Sequence, residues 1–437
     1  MGLWRSHEAS HISVGLVSNR TMSTTPKTRT ARSPSTPPKT PILRTVSDIT
    51  RLKAIQAPAP RVDMRRARKA LVLQGGGALG AYQAGVYAAL SEVRQPPPQW
   101  IAGVSIGAIN AALVAGNVPG KRVERLQEFW NLVSSAPAQQ LPTWLGDRNR
   151  RNQWSAAAAA LVGIPGFFAP RHDLSLLMGM SAPVLSYYDT SALKSTLERL
   201  IDFDLINRCE TRLSVGAVNV RSGNSIYFDN TVQKIGPEHV MASGALPPGF
   251  APVHIDGEDY WDGGIVSNTT LQYVLDVQPR NQPLVVLQVD LFSARGAMPT
   301  TLSEVAERQK DITYSSRTRM NTDVMAANLN LQQAIADLIG KLPDALQNDP
   351  SVAAVQAQLK HEPIEIFHLI YRGKAYEIDS KDYEFSRAAV DEHWEAGVRD
   401  MRTTLADPGA LDGVVQQNGV TTFDLAEPGA ARIKRPI

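Results

Sequence analysis

Along residues 70–115, short apolar runs alternate with glycine clusters and with stretches at helical spacing. Ala70-Leu71-Val72-Leu73 is a strand-length run that stops at Gly75-Gly76-Gly77-Ala78-Leu79-Gly80, and a helical stretch follows through Ser91. After a Pro-rich break at 96–98 the order repeats: Trp100-Ile101-Ala102, a turn flanked by Gly103 and Gly107, then a helix of small residues over Ile106–Ala115. Strand, glycine turn, helix, twice over, is the pattern of a mainly parallel sheet covered on both faces. From 117 to 210 the pattern is helical and loop-like, with an uncharged apolar stretch at 154–170. Strands return at 213–220, 225–228 and 284–289. Residues 301–342 read as one or two amphipathic helices, 364–371 as a late strand, and 386–405 as a closing helix with Pro408 just beyond. No internal repeat is present.

Composition narrows the class. With 437 residues, 43% apolar and 20% charged, the chain has room for two or three domains and is neither fibrous, collagenous nor wholly disordered. A lone cysteine, Cys209, excludes an internal disulfide framework and a thiolate metal cluster. Charge is unevenly spread: residues 1–69 carry fourteen Lys/Arg against Glu8, Asp48 and Asp63, while the rest has 31 basic and 39 acidic residues. The body is therefore acidic, which argues against a basic nucleic-acid-binding face. Residues 23–60, crowded with Pro, Ser, Thr, Lys and Arg, are too polar to offset their ordering entropy. The expectation is a disordered basic tail over 1–69 and order from Ala70. No strongly apolar run reaches 18 residues and no secretory-type apolar stretch opens the chain. The expected setting is cytoplasmic, with peripheral membrane contact left open and helped by the basic tail on anionic lipid. Oligomeric state has no signal in the sequence.

The glycine cluster at 75–80 admits several mechanisms. A P-loop would end in Gly-Lys-Ser/Thr, but Gly80 is followed by Ala81-Tyr82, so no lysine reaches a phosphate. Gly75, Gly77 and Gly80 match a dinucleotide fingerprint, yet the next strand ends at Gly103-Val104-Ser105 without the carboxylate a ribose needs. The third reading is an anion hole, in which Gly75, Gly76, Gly77 and Ala78 offer backbone N–H groups to a developing oxyanion. A tight turn with close helix packing is the plain alternative. Gly103-Val104-Ser105-Ile106-Gly107 favours the third, because a serine on a strained strand-to-helix turn needs small neighbours two before and two after it. A serine hydroxyl also needs a base. Asp262, in Tyr260-Trp261-Asp262-Gly263-Gly264, is the best placed, since Gly263 and Gly264 allow a close backbone approach. His254, His361, His368 and His393 are the candidates for a triad base, and none lies in a glycine-rich loop. The sequence His7-Glu8-Ala9-Ser10-His11 matches a zinc-protease pattern but falls in the tail, without an apolar helix to hold it. No metal or organic cofactor is expected.

In this order, the glycine loop 75–80, the elbow 103–107 and Asp262-Gly263-Gly264 resemble the patatin-like phospholipase family. So do Ala242-Ser243-Gly244-Ala245-Leu246-Pro247 and Phe250-Ala251-Pro252-Val253, which precede the Asp-Gly-Gly segment. The resemblance implies a three-layer α/β/α sandwich with an acyl hydrolase domain at 70–292 and a C-terminal α+β extension at 293–437 packed on it. It also implies lipid acyl hydrolysis by a Ser105–Asp262 dyad without histidine, with oxyanion donors around Gly76 and Gly77. Leu79 departs from the pattern, since many members have Arg or Lys there. A conventional Ser-acid-His triad using His361, His368 or His393 is the alternative within hydrolases, and a non-catalytic dinucleotide-binding domain the alternative outside them. The apolar stretch 154–170, with Trp154, Phe167 and Phe168, is either core or a lipid-contacting cover.

Overall fold

Side chains along a strand point alternately to opposite faces, and this alternation sets the layers. Leu71 and Leu73 enter one apolar cluster, with Ile101, Ile106, Leu113, Phe129 and Trp130. Ala70 and Val72 enter another, with Trp100, Val286 and Ile366. The computed structural model describes residues 61–93, 95–137, 148–171, 185–279, 281–359, 362–373, 381–407, 409–416 and 420–426.

In chain order the elements are β1 (Arg61–Asp63), β2 (Arg68–Leu73), α1 (Gly80–Leu90), β3 (Trp100–Val104), α2 (Ile106–Ala115), α3 (Arg122–Val133) and α4 (Arg148–Val162). Next come β4 (Ala169–Pro170), β5 (Tyr188–Asp189), α5 (Ser191–Leu200), α6 (Phe203–Asn207), β6 (Arg212–Asn219), β7 (Ser225–Asp229) and α7 (Pro237–Ser243). Then follow β8 (Val253–Ile255), β9 (Glu258–Asp262), α8 (Leu271–Val277), β10 (Leu284–Asp290) and α9 (Leu302–Ile339). The last are α10 (Asp344–Gln347), α11 (Pro350–Leu359), β11 (Ile364–Ile370), α12 (Arg387–Leu405), β12 (Val414–Gln416) and β13 (Val420–Phe423).

The main sheet runs β13-β11-β10-β2-β3-β6-β9-β8, and β7 also pairs with β6. From β13 to β6 all neighbours are parallel, while β9, β8 and β7 are antiparallel additions. Helices α1, α2 and α3 cover one face, and α8 covers the other with Leu271, Val274 and Leu275. The three-layer α/β/α reading stands.

The core strands are buried on both faces and so read as continuous apolar runs. In β10, Val285, Val286, Leu287 and Val289 are inaccessible to solvent, each contributing roughly 1.5–3 kcal/mol through burial. Helix α2 is buried along its whole length and α1 at all but one position. A helix enclosed all round has no polar face, which is why small residues fill both. Helices α1 and α12 meet backbone to backbone: a Cβ on Gly85 would lie 2.0 Å from the Trp394 carbonyl oxygen, and one on Gly397 2.0 Å from that of Tyr82.

Two boundaries differ from the sequence reading. The fold extends back to Arg61, because β1 pairs antiparallel with β12 and Met64 is buried in the core. Only 1–60 of the expected tail, including His7 and His11, lies outside the described residues. The segment after 293 is not a body resting on a finished domain, since β11 and β13 extend the central sheet beyond β10. Residues 301–342 hold one long helix, α9.

Candidate active site

Strand register brings the two halves of the expected dyad level. Val104 at the end of β3 pairs with Gly216 of β6, and the next β6 residue, Ala217, pairs on its other side with Asp262 of β9. Ser105, one residue past Val104, therefore faces Asp262 across β6, two strand spacings or roughly 10 Å of backbone. The turn closes that distance. Ser105 has φ 57° and ψ −127°, a conformation costing about 1–3 kcal/mol in a non-glycine residue. It is imposed by the surroundings: a Cβ on Gly103 would lie 2.3 Å from the Gly107 carbonyl oxygen, and one on Gly107 2.3 Å from that of Leu73. The Ser105 carbonyl accepts from the N–H groups of Ala108 and Ile109 at 2.9 and 3.2 Å, so α2 starts at once.

Ser105 and the buried Asp262 line the same cavity, and the Ser105 hydroxyl stands near enough to that carboxyl to favour its charged form. Burial pushes that carboxyl up to about 6, against the opposing influence of the Ser105 hydroxyl and of the Gly264 N–H, which donates to it at 2.7 Å. The Asp262 N–H in turn donates to the Ala245 carbonyl at 3.0 Å. Gly263 lies so close to β6 that a Cβ there would meet the Gly216 carbonyl oxygen at 2.7 Å.

The glycine loop at the end of β2 lies against the serine, since a Cβ on Gly75 would be 3.0 Å from Ser105 Cβ. Among the described residues, the N–H groups of Gly76, Gly77 and Ala78 have no hydrogen-bond partner. The Gly75 N–H does have one, the Asn268 carbonyl at 3.3 Å, so of the four expected donors three are open. Gly77 has φ 56°. Gly80 sits deeper, where a Cβ would strike Ile106 at 2.5 Å, and Leu79 is fully buried in the core.

Two supporting residues were not singled out by type. Asn268 Nδ2 donates to the Gly75 carbonyl at 2.9 Å, locking the glycine loop to the segment after Asp262. Ser243 accepts from the Ser105 N–H through both its carbonyl, at 3.1 Å, and its Oγ, at 2.9 Å, and that Oγ donates to Gly216 at 2.6 Å. Ser243 lies within the run 242–247, but nothing in its local pattern marks it as the anchor of the elbow. Asn268, six residues past Asp262, had only that proximity as a signal.

Ser105, Asp262, Gly75, Gly76 and Gly77 open into a cavity of about 640 Å³, a normal size for a small-ligand site. Its wall includes Phe167, Phe168, Phe250 and Tyr188, with ring centroids 4.8–6.1 Å apart in neighbouring pairs. Helix α4 adds Gln153, Ala156, Ala157 and Ala160, and the C-terminal segment adds Tyr314, Asp382, Tyr383 and Phe385. Phe167 and Phe168 are buried, whereas Trp154, Leu161 and Val162 of the same stretch are exposed. The apolar stretch is thus core at one end and open surface along part of its helix.

No histidine is among the described lining residues. His254 is exposed beside Asp259, His368 bonds to Asp290 at 3.2 Å on β11, and His393 is buried against Tyr371. His361 lies outside the described residues.

A nucleophile-type serine, a buried carboxylate and an open amide loop thus meet in one apolar cavity. A patatin-like phospholipase model matches residues 71–275, and a second model, described as patatin phospholipase, matches 312–416. The chain belongs to the patatin-like phospholipase family. Membership makes it a lipid-hydrolysing type of protein, and both matches include residues of the cavity. No curated protein matches the chain. Among solved structures it is similar to VipD from Legionella pneumophila, at 14% identity over 80% of this chain and 72% of that one, with a TM-score of 0.29. It is also similar to the type III effector protein ExoU, at 16% identity over 68% of each chain and a TM-score of 0.23. A third likeness is to the ExoU–SpcU complex of Pseudomonas aeruginosa, at 15% identity over 68% of this chain and 59% of that one, with a TM-score of 0.25. At these scores the three likenesses carry no argument about this chain. No helix of the described residues is long and apolar enough to cross a membrane.

Proposed function

We propose that this protein is a serine carboxylic ester hydrolase acting on lipid acyl groups through a Ser105–Asp262 dyad. Ser105 Oγ attacks the ester carbonyl as Asp262 takes its proton. The charge that develops on the carbonyl oxygen is held by the N–H groups of Gly76, Gly77 and Ala78, with the N-terminus of α2 adding its positive end. Asp262 then returns the proton to the departing alcohol, and water resolves the acyl-enzyme by the same route.

The observation that carries this reading is a serine at φ 57° sharing one cavity with a buried carboxyl raised to about 6. A free aspartate is a weak base. Burial makes this one a better proton acceptor while leaving it ionised at neutral pH. The aromatic wall supports an acyl chain as the occupant, since burying each methylene gains roughly 0.8 kcal/mol. Peripheral contact with a lipid surface is part of the proposal. Trp154 and Leu161 are exposed on α4, the helix whose Ala156, Ala157 and Ala160 line the cavity.

The test is hydrolysis of a panel of acyl lipids and soluble esters by the wild type and by Ser105→Ala. Loss of about a thousandfold or more in kcat/KM is expected for every cleaved substrate. Turnover that survives the substitution would remove the dyad.

A further inference from the structure

The alcohol side of the ester has no assigned partner, and the inference that follows rests on the dyad reading above. The short turn Lys381–Tyr383 is clamped onto α9 by crossed ion pairs. Lys381 Nζ lies 3.0 Å from Glu307 Oε1 and 2.9 Å from Asp311 Oδ1, and Lys310 Nζ lies 2.7 Å from Asp382 Oδ1. The turn also touches the glycine loop, for a Cβ on Gly77 would meet the Asp382 carbonyl oxygen at 2.1 Å and Asp382 Cβ at 3.5 Å. Asp382 and Tyr383 line the cavity, whereas Lys310 and Lys381 do not. The Lys310–Asp382 pair therefore presents its negative end to the substrate. Among the described lining residues the ionisable carboxyls are Asp262 and Asp382, and none is lysine or arginine.

An ionised carboxylate accepts hydrogen bonds and donates none, with room for about four of them. Lys310 occupies part of the capacity of Asp382. A hydroxyl on the alcohol portion of an ester can use the rest. A phosphodiester cannot, since at neutral pH it has no proton to offer and brings a like charge into a partly desolvated site. Tyr383 stands beside it, its phenol pushed up to about 12 chiefly by burial, and so remains a neutral hydrogen-bond donor.

We infer that Asp382 is a specificity-determining residue: it selects uncharged, hydroxyl-bearing acyl esters of the acylglycerol type and disfavours anionic phospholipids. The segment after 293 would then supply substrate choice as well as sheet strands.

The experiment compares kcat/KM for dioctanoylglycerol and dioctanoyl-phosphatidylmethanol, an anionic phosphodiester without a headgroup hydroxyl, in the same non-ionic micelles. The proteins are wild type, Asp382→Asn, Lys310→Met and Ser105→Ala. Wild type should favour the diacylglycerol. Asp382→Asn, which removes the negative charge facing the cavity, should shift the ratio toward the phospholipid by roughly tenfold, and Lys310→Met should shift it the other way by a similar factor. A merely structural role would lower both rates and leave the ratio unchanged. Wild-type preference for the phospholipid, or variants that move the ratio together or not at all, would overturn the assignment. If Asp382→Asn does not fold, Lys310→Met decides alone by the direction of its shift. Activity that survives Ser105→Ala would overturn the hydrolase reading and this one with it, whereas a wrong ratio leaves the dyad intact.

Discussion

At the scale of single residues, Asp262 carries opposite obligations to chemistry and to stability. As a base it must be ionised, so kcat/KM should rise through a single limb near pH 6 and level off above it. A pH–rate profile with no limb between 5 and 7 would count against Asp262 as the base. For stability the sign reverses. The folded carboxyl titrates near 6 and the unfolded one near the ordinary value of 3.8, so between those values the folded state binds more protons. Stability therefore falls as pH rises from 4 to 6 and stays reduced above. Asp262→Asn should abolish hydrolysis yet raise stability at pH 8, by at most about 3 kcal/mol, with the gain fading toward pH 4. Urea denaturation at the two pH values checks this. Ser105→Ala should leave stability nearly unchanged, because alanine inherits the same backbone strain. Combined, the two substitutions should cost little more activity than either alone, since the groups act as one unit.

Between elements, the close contacts are made where glycine stands. Gly85 and Gly397 let α1 and α12 touch, and a methyl group at either would press on backbone carbonyl oxygen, which has no rotamer to escape into. Gly85→Ala and Gly397→Ala should each cost on the order of 2–4 kcal/mol, the scale of overpacking with backbone shift. Chemical denaturation measures it; a cost below 1 kcal/mol would show that the helices part easily. These two glycines also mark how far the sequence could be read. The glycine loop, the elbow and Asp262-Gly263-Gly264 were legible because each combines a steric demand with a chemical group within a few residues. Gly85 and Gly397 each sit in ordinary helical sequence, 312 positions apart by their numbers, so neither announces its partner. Asn268 and Ser243 were hidden for the same reason, as their work is a single hydrogen bond to backbone brought near by the fold. The Lys381–Tyr383 turn was invisible too, since its placement on Gly77 depends on α9 lying between them in sequence.

On the scale of the whole molecule, the chain uses both of its halves to finish one sheet and one cavity. Removing 293–437 would expose β10 as an edge strand apolar on both faces, a template for aggregation, and would strip α12 from α1. Such a truncation should yield insoluble protein; soluble, catalytically active 61–292 would show that β11 and β13 are dispensable. The exposed apolar residues of α4 make a separate prediction about lipid surfaces. Trp154→Ser with Leu161→Ser should lower hydrolysis of long-chain lipid in vesicles by roughly tenfold, as lost apolar contact weakens interfacial binding. Hydrolysis of a soluble short-chain ester should stay within about twofold. Equal loss on both substrates would mean that these side chains support the fold.

The pairing of β1 with β12, and of β10 with β11, also bears on how the protein is made. During synthesis β10 leaves the ribosome long before β11, with all of α9 still to come between them. For that interval a run of Leu, Val, Val and Leu has one sheet neighbour in β2 and none on its other side. The ladder between β1 and β12 waits longer still, because its second strand is translated after β11. Pairings of such long sequence separation form slowly and leave apolar edges open while they wait. Released chains that end at residue 292 should therefore be held by chaperones that bind extended apolar segments, and chains carrying all 437 residues should not.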